Sequence, residues 1–231
     1  QVSDTGMIVS PAFKARVLEV FKGPNGQHIH KVKLLDGTIS IGDECELIVD
    51  KDRRNKIEAN HSSVHILQYS LQQVVSDSIH QAGSYVDSER LRFDFTYSGK
   101  ISEEKLLEVE QFANDMISKN LIVSTEIMPL DKAKQLGAMA LFNEKYDDTV
   151  RVVKIGKSIE LCGGTHVNNT KDIESIAILS IENKGSDTYR IEGTTSKNIK
   201  SELSRIVKPY TDEITKLLAK TKNKTPHKPS I

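Results

Sequence analysis

The sequence predicts an α+β protein in which a small β-barrel is followed by a larger α+β core and then by a C-terminal helix. Apolar and polar residues alternate over much of residues 7–49, which is typical of half-buried strands. Near residue 56 the apolar residues change to helical spacing, and helical spacing returns from Lys197 to about Lys220. We therefore expect three parts, residues 1–50, 51–195 and 196–231.

Short strands separated by turn sequences indicate the barrel. Val32 and Leu34 alternate with lysines, and the turn signals Gly23-Pro24-Asn25-Gly26 and Asp36-Gly37 lie on either side of them. Strands of this length and spacing are typical of small barrels. Cys45 begins the last alternating run of this region, so we expect it to lie in the core.

In the second part, helices and strands are predicted to alternate. One helix contains Val64 and continues to Gly83, and another begins at Ser102, a good N-cap residue that two glutamates follow. Strands are expected at 91–95, 121–127 and 150–155, with a closing hairpin at 176–181 and 189–192. Pro209 is expected to kink or split the C-terminal helix, and residues 222–231 are expected to be disordered.

Composition narrows the possible function classes. Lys+Arg and Asp+Glu both number 32 among 231 residues, so nucleic-acid binding through bulk charge alone is not expected. No apolar run approaches the roughly 18 residues that span a bilayer, and no secretory signal leads the chain. Two cysteines cannot form a disulfide framework, so we expect a cytoplasmic protein. Because the chain begins at Gln1 rather than Met, we expect a piece of a longer protein.

Three histidines and one cysteine form a candidate zinc site. His61 and His65 are four residues apart in the first predicted helix, so both imidazoles lie on one helix face. Far downstream, a glycine-rich loop carries a thiol and an imidazole in Cys162-Gly163-Gly164-Thr165-His166. Three imidazoles and one thiolate satisfy tetrahedral zinc. The alternatives are that His61 is a solvated helix residue and that Cys162 is a small buried apolar residue.

These motifs resemble the editing domain of alanyl-tRNA synthetase and its free-standing relatives. The resemblance rests on five segments, Gln1-Val-Ser-Asp-Thr-Gly6, His61-Ser-Ser-Val-His65, residues 138–153, Leu161-Cys-Gly-Gly-Thr-His-Val167 and Arg190-Ile-Glu192. It covers about residues 1–195. The helix from Ser196 resembles the start of the linker that leads to the family's C-terminal domain.

The resemblance implies an enzyme that hydrolyses tRNA(Ala) mischarged with serine or glycine. It implies Zn²⁺ held by His61, His65, Cys162 and His166. The implied partners are the acceptor end of tRNA(Ala) and the remaining synthetase domains in cis, with no membrane. The parent enzyme would ligate alanine to tRNA(Ala) with ATP and Mg²⁺. Nothing in this sequence resembles that aminoacylation domain, so we do not expect that activity here.

Four residues are candidates for contact with the substrate. The resemblance places Gln1 beside the pocket, where we expect it to hold the aminoacyl end or a water. The family usually has Thr at the position of Val64, and Val cannot pair with a serine hydroxyl. Serine selectivity is therefore expected to be weaker, or to be supplied by Ser63 or Thr165. The alternative is that Val64 only packs in the core.

Other functions fit parts of the pattern. A non-catalytic module with structural zinc would bind tRNA without hydrolysing it, and threonyl-tRNA synthetase editing domains carry a similar ligand arrangement. A thiol hydrolase built on Cys162 and His166 would be sensitive to alkylation without depending on metal. Four protein ligands would saturate zinc, so the ion either has one loose ligand or only organises the pocket. Arg190 and Glu192 either contact tRNA or pair within the fold.

Overall fold

The computed structural model of the chain describes residues 1–139, 146–196 and 198–222. Within these ranges, eleven strands form three antiparallel sheets, and four α-helices and one 3₁₀ turn accompany them. The α+β class predicted from the sequence is therefore confirmed. None of the helices in the described ranges is both long enough and apolar enough to cross a membrane.

The first sheet has the strand order β3-β2-β1-β4 and is open. Its strands are β1 Gly6–Val9, β2 Phe13–Lys22, β3 His28–Gly37 and β4 Glu46–Val49. The predicted barrel is wrong for the described residues, because closure requires the two edge strands to pair with matched stagger. Here β3 pairs with β2 and the much shorter β4 pairs with β1. Cys45 precedes the exposed edge strand β4 and is itself exposed, so its predicted core position is also wrong.

Helix α1, Lys51–Val74, is the central helix of the fold. It begins where the Asp50 carboxylate accepts a hydrogen bond of 3.1 Å from the backbone N–H of Arg53, which satisfies one of the free N–H groups of the first turn. The helix does not continue to Gly83 as predicted. Ser76 and Ser78 form a hydrogen-bonded turn, and the chain then enters a strand, although Ile79 is still fully buried.

The second sheet, of order β10-β11-β6-β5, carries most of the core. Its strands are β5 His80–Val86, β6 Leu91–Thr96, β10 Ile176–Gly185 and β11 Thr188–Thr195. Phe93 of β6 lies opposite Ile191 of β11, and both are fully buried beneath α1 and α2, Glu103–Ser118. Helix α2 begins after Ser102 as predicted. Strand β6 and the closing hairpin were also predicted, whereas β5 was not.

The third sheet, of order β7-β8-β9, leads the chain into the candidate site. Its strands are β7 Val123–Pro129, β8 Thr149–Ile155 and β9 Ser158–Leu161, with the short helix α3, Leu130–Gln135, after β7. Strands β7 and β8 match the predicted strands, and β9 was missed because it has only four residues. Residue 162 follows β9 directly, so this sheet sets the position of the glycine-rich loop.

Helix α4, Asn198–Lys222, forms the end of the described chain. It continues through Pro209, so the predicted split does not occur. Residues 223–231, most of the segment expected to be disordered, lie outside the described residues. So do residues 140–145 of the family-like segment 138–153.

Candidate metal centre

Helix α1 places two imidazoles side by side in the interior. His61 and His65 are both buried, and their ring centroids are 5.5 Å apart. The middle of α1 is buried on every side, because α2, the second sheet, β9 and the 3₁₀ turn all contact it. A histidine in this position is shielded from water by the fold, so His61 is not the solvated helix residue of the alternative interpretation.

The glycine-rich loop after β9 supplies the other two candidate ligands. The guanidinium of Arg151 donates hydrogen bonds of 2.8 Å to the carbonyl of Cys162 and 2.6 Å to the carbonyl of Gly164, which holds the loop against β8. A Cβ atom on Gly164 would overlap the His61 ring and lie 2.8 Å from Oε1 of Gln1, whereas a Cβ on Gly163 would meet open space. Only the second glycine of the pair is therefore needed for close packing.

The structure brings the four predicted ligands to one point. One ligand atom from each of His61, His65, Cys162 and His166 lies within 4.8 Å of the others. Nε2 of His61 lies 3.5 Å from Sγ of Cys162, and Nε2 of His166 lies 3.4 Å from the same sulfur. Three imidazole nitrogens and one sulfur at this separation are a donor set that suits tetrahedral zinc.

Each imidazole also has a polar atom close to its Nδ1. Nδ1 of His61 lies 3.2 Å from the carbonyl oxygen of Thr165, and Nδ1 of His166 lies 3.2 Å from Oγ of Ser62. Nδ1 of His65 lies 3.1 Å from a carboxylate oxygen of Glu160. Partners at Nδ1 set the tautomer that leaves Nε2 free for a metal. Neither Ser62 nor Glu160 was predicted, although Ser62 directly follows His61 and Glu160 lies on β9 two residues before Cys162.

Burial keeps the three candidate histidine ligands neutral, which is their metal-binding state, and has the opposite effect on the cysteine. Desolvation lowers the pKa of His61 to about 3 and that of His65 to about 4, and it lowers the pKa of His166 as well. All three imidazoles are therefore neutral at pH 7. Burial raises the pKa of the Cys162 thiol, so without a bound cation this group holds its proton. Burial also raises the pKa of Glu160 to about 7.

Gln1 lies at the mouth of this cluster. Its Oε1 accepts a hydrogen bond of 2.9 Å from the backbone N–H of Thr165 and lies 2.9 Å from Nδ1 of His61, while its Nε2 donates to Oγ1 of Thr165 at 2.9 Å. The segment before β1 is held in place by a forked ion pair between Asp4 and Arg54 of α1. The structure thus places the Gln1 amide in contact with His61 and Thr165.

The three other substrate-contact candidates lie in different surroundings. Ser63 is fully buried, and its hydroxyl has no hydrogen-bond partner among the described residues. Val64 packs in the main hydrophobic core. Thr165 is partly exposed and its hydroxyl faces the Gln1 amide. Of the three, Thr165 is the one whose side chain can reach a bound molecule without movement of α1.

Arg190 and Glu192 take part in cross-strand pairs. The Arg190 guanidinium donates two hydrogen bonds, of 2.7 and 2.8 Å, to the Asp94 carboxylate on the neighbouring strand β6. Glu192 lies 3.5 Å from the guanidinium of Arg90. The forked pair favours the structural interpretation of Arg190, because it uses the directional donors of the guanidinium. The ion pair with Arg90, which directly precedes β6, favours the same interpretation of Glu192.

Comparison with known proteins shows similarity between this chain and one segment of much longer proteins. Residues 150–192 match the family model described as the threonyl and alanyl tRNA synthetase second additional domain. The chain is similar to alanine–tRNA ligases, with 46% identity over 198 residues in Listeria welshimeri and 44% over 199 residues in Staphylococcus saprophyticus and in Mesoplasma florum. These matches cover 85–86% of the chain and 22–23% of each relative, so the chain spans little more than a fifth of their length.

Proposed function

We propose that this chain, which is homologous to one segment of alanine–tRNA ligases, hydrolyses the ester bond of tRNA(Ala) mischarged with serine or glycine. The convergence of His61, His65, Cys162 and His166 within 4.8 Å, next to the amide of Gln1, is the observation that carries the proposal. Binding alone rejects a near-isosteric amino acid by only about a hundredfold, so a second, hydrolytic site is useful to such an enzyme. In this proposal the partners are the acceptor end of tRNA(Ala) and the rest of a cytoplasmic synthetase.

The four candidate ligands are a donor set that suits zinc, and the protonation states of the three histidines favour zinc binding. When bound, zinc would polarise the ester carbonyl or hold the pocket in shape. The neutral imidazoles of His61, His65 and His166 need lose no proton to bind it, and Cys162 must lose one. Because four protein ligands complete the tetrahedral coordination of zinc, they favour a role in which the ion holds the pocket in shape.

Gln1 and Thr165 are placed to hold the aminoacyl end. An amide nitrogen carries two N–H groups, and the described contacts of Gln1 Nε2 use one of them, on Oγ1 of Thr165. The second N–H can donate to the ester carbonyl of the substrate. The Thr165 hydroxyl, which accepts from Gln1, can donate its own proton to the hydroxyl of a bound serine.

Serine recognition in this proposal comes from the loop rather than from α1. Val64 has no polar group and packs in the core, and Ser63 has no exposed surface. Replacing Thr165 by Val removes one hydroxyl at nearly the same volume. We expect it to slow hydrolysis of serine-charged tRNA(Ala) more than that of glycine-charged tRNA(Ala), because glycine has no hydroxyl to recognise.

The two cysteines provide a matched test of the proposal. Deacylation of serine-charged tRNA(Ala) is measured for the unmodified chain, for Cys162→Ala and for Cys45→Ala, each with and without a chelator. We expect Cys162→Ala and chelation to abolish hydrolysis, and Cys45→Ala to leave it intact because Cys45 is exposed beside the first sheet. Tight tRNA binding without hydrolysis by the folded, zinc-loaded chain would contradict the proposal and indicate a binding module. Hydrolysis that survives chelation but not alkylation would indicate a thiol mechanism.

A further inference from the structure

Glu160 carries a buried carboxyl group that has no positively charged lysine or arginine beside it in the described ranges. It lies on β9 with 7% of its surface exposed, and within the described ranges no lysine or arginine nitrogen lies within ion-pair distance of it. Its two oxygens face two different groups: Oε1 accepts a 2.9 Å hydrogen bond from Oγ of Ser158, and Oε2 lies 3.1 Å from Nδ1 of His65. Burying a carboxylate without a cation is costly, so this position needs a specific reason for an acidic residue.

Strand geometry relates Glu160 to the metal loop. Side chains two residues apart along an extended strand point to the same side, so Ser158 and Glu160 line one face of β9 and Cys162 continues that line. Glu160 thus lies next to the ligand cluster, with a carboxylate oxygen on the Nδ1 side of the His65 ring. Its partner Ser158 is also buried, which limits the freedom of the carboxylate.

The contact determines which nitrogen of His65 can bind a metal. A carboxylate at Nδ1 favours the tautomer that carries its proton there, and this leaves the lone pair of Nε2 for the cluster. Nδ1 of His65 lies 3.1 Å from Oε2 of Glu160 and forms no hydrogen bond within the described ranges. Nδ1 of His65 is thus a buried polar atom whose nearest acceptor is Glu160.

We propose that Glu160 is the positioning residue of the metal centre, holding the His65 ring with Nδ1–H toward its carboxylate and Nε2 toward His61, Cys162 and His166. The inference rests on the proposed metal site of the preceding subsection. It assigns Glu160 no contact with the substrate. Ser158 supports the arrangement by fixing the second carboxylate oxygen.

Two conservative substitutions at Glu160 separate the effect of its side-chain length from the effect of its negative charge. Glu160→Gln keeps the length and an acceptor oxygen for Nδ1–H, while its amide N–H₂ can donate to Ser158. Glu160→Asp keeps the charge but withdraws the carboxylate by one methylene. Glu126→Gln, on the exposed part of β7, is the matched control. For each protein, zinc affinity is measured by competition with a chromophoric chelator, and the tautomer of His65 is read from long-range ¹H–¹⁵N correlations of its ring.

A positioning role predicts a particular order of effects. We expect Glu160→Asp to weaken zinc binding by about 10- to 100-fold, the range for partners of metal-bound histidines, and to lose the Nδ1–H signature of His65. Glu160→Gln should keep that signature and lose less affinity, and the control should bind as the unmodified chain does. Wild-type affinity in Glu160→Asp together with a large loss in Glu160→Gln would overturn the proposal, because charge alone would then matter.

The affinity readout is independent of hydrolysis. If the unmodified chain binds zinc and shows the expected order of variants but does not hydrolyse mischarged tRNA, the positioning role stands and the proposed function fails. If hydrolysis is metal-dependent but all variants bind zinc equally, the positioning role fails alone. Failure of the unmodified chain to bind zinc would overturn both.

Discussion

Acidification of the metal-free chain should destabilise it strongly, because the fold buries neutral histidines. In the unfolded chain a histidine has a pKa near 6.5 and takes up a proton as the pH falls from 7 to 5. In the folded chain the pKa values of His61 and His65 are lowered to about 3 and about 4, so both stay neutral at pH 5. At pH 5 the unfolded state therefore binds more protons than the folded state, so the free energy of unfolding decreases as the pH is lowered.

The size of the effect follows from these shifts. Between pH 6.5 and 5, each of the two histidines removes about 2 kcal/mol from the free energy of unfolding, and His166, whose pKa is also lowered, adds to the loss. Glu160 acts in the opposite direction. Because its pKa is raised to about 7, it takes up a proton in the folded chain at a higher pH than in the unfolded chain, and this adds about 2 kcal/mol to the free energy of unfolding over the same pH range. We expect a net loss of roughly 2–4 kcal/mol from pH 7 to pH 5.

Urea denaturation of chelator-treated protein at several pH values measures this loss. His61→Gln should reduce the pH dependence by the contribution of one histidine. His28→Gln, at an exposed position of β3 outside the ligand cluster, is the matched control. A free energy of unfolding at pH 5 within about 1 kcal/mol of that at pH 7 would refute the argument that the cluster is buried and neutral.

Three further predictions concern the glycine pair, the anchoring of α1 and the protonation state of the site. Gly164→Ala should abolish zinc binding because its Cβ overlaps the His61 ring, whereas Gly163→Ala should bind zinc normally; equal affinities would contradict the packing argument. Asn60→Ala should lower the free energy of unfolding by about 2–4 kcal/mol, since this buried amide bridges two elements; a loss under about 1 kcal/mol in chemical denaturation would count against it. Zinc binding at pH 6, followed by calorimetry in buffers of different ionisation enthalpy, should release about two protons. One comes from Cys162, which binds as a thiolate, and one from the buried glutamate of β9, because the positive charge of the ion favours its carboxylate form. Release of four or more would mean that the histidines were charged.

The four candidate ligands were predictable because they belong to two short sequence motifs. The spacing of His61 and His65 specifies one helix face, and a thiol and an imidazole on a glycine-rich loop form a second local motif. The two motifs, about a hundred residues apart, were combined because their four donors suit tetrahedral zinc, and the family resemblance strengthened that prediction. The partners at Nδ1 were not predictable, since Ser62 and Glu160 acquire that role only when α1 packs against β9 and the loop.

The errors in the predicted fold have similar causes. Ile79 extends the helical apolar spacing of α1 although the chain has already left the helix, because a buried residue before a strand fits either pattern. Alternation in residues 7–49 correctly indicated strands but carries no information about which edges pair, so the open first sheet was predicted as closed. The exposure of Cys45 follows from that opening.

Zinc titration of chelator-treated protein, with deacylation of serine-charged tRNA(Ala) followed at each step, tests the central claim most directly. We expect hydrolysis to be absent at the start, to rise in proportion to bound zinc and to level off at one ion per chain, with alanine-charged tRNA(Ala) left intact. Full hydrolysis before any zinc is bound, or none in folded protein that holds one ion per chain, would contradict it.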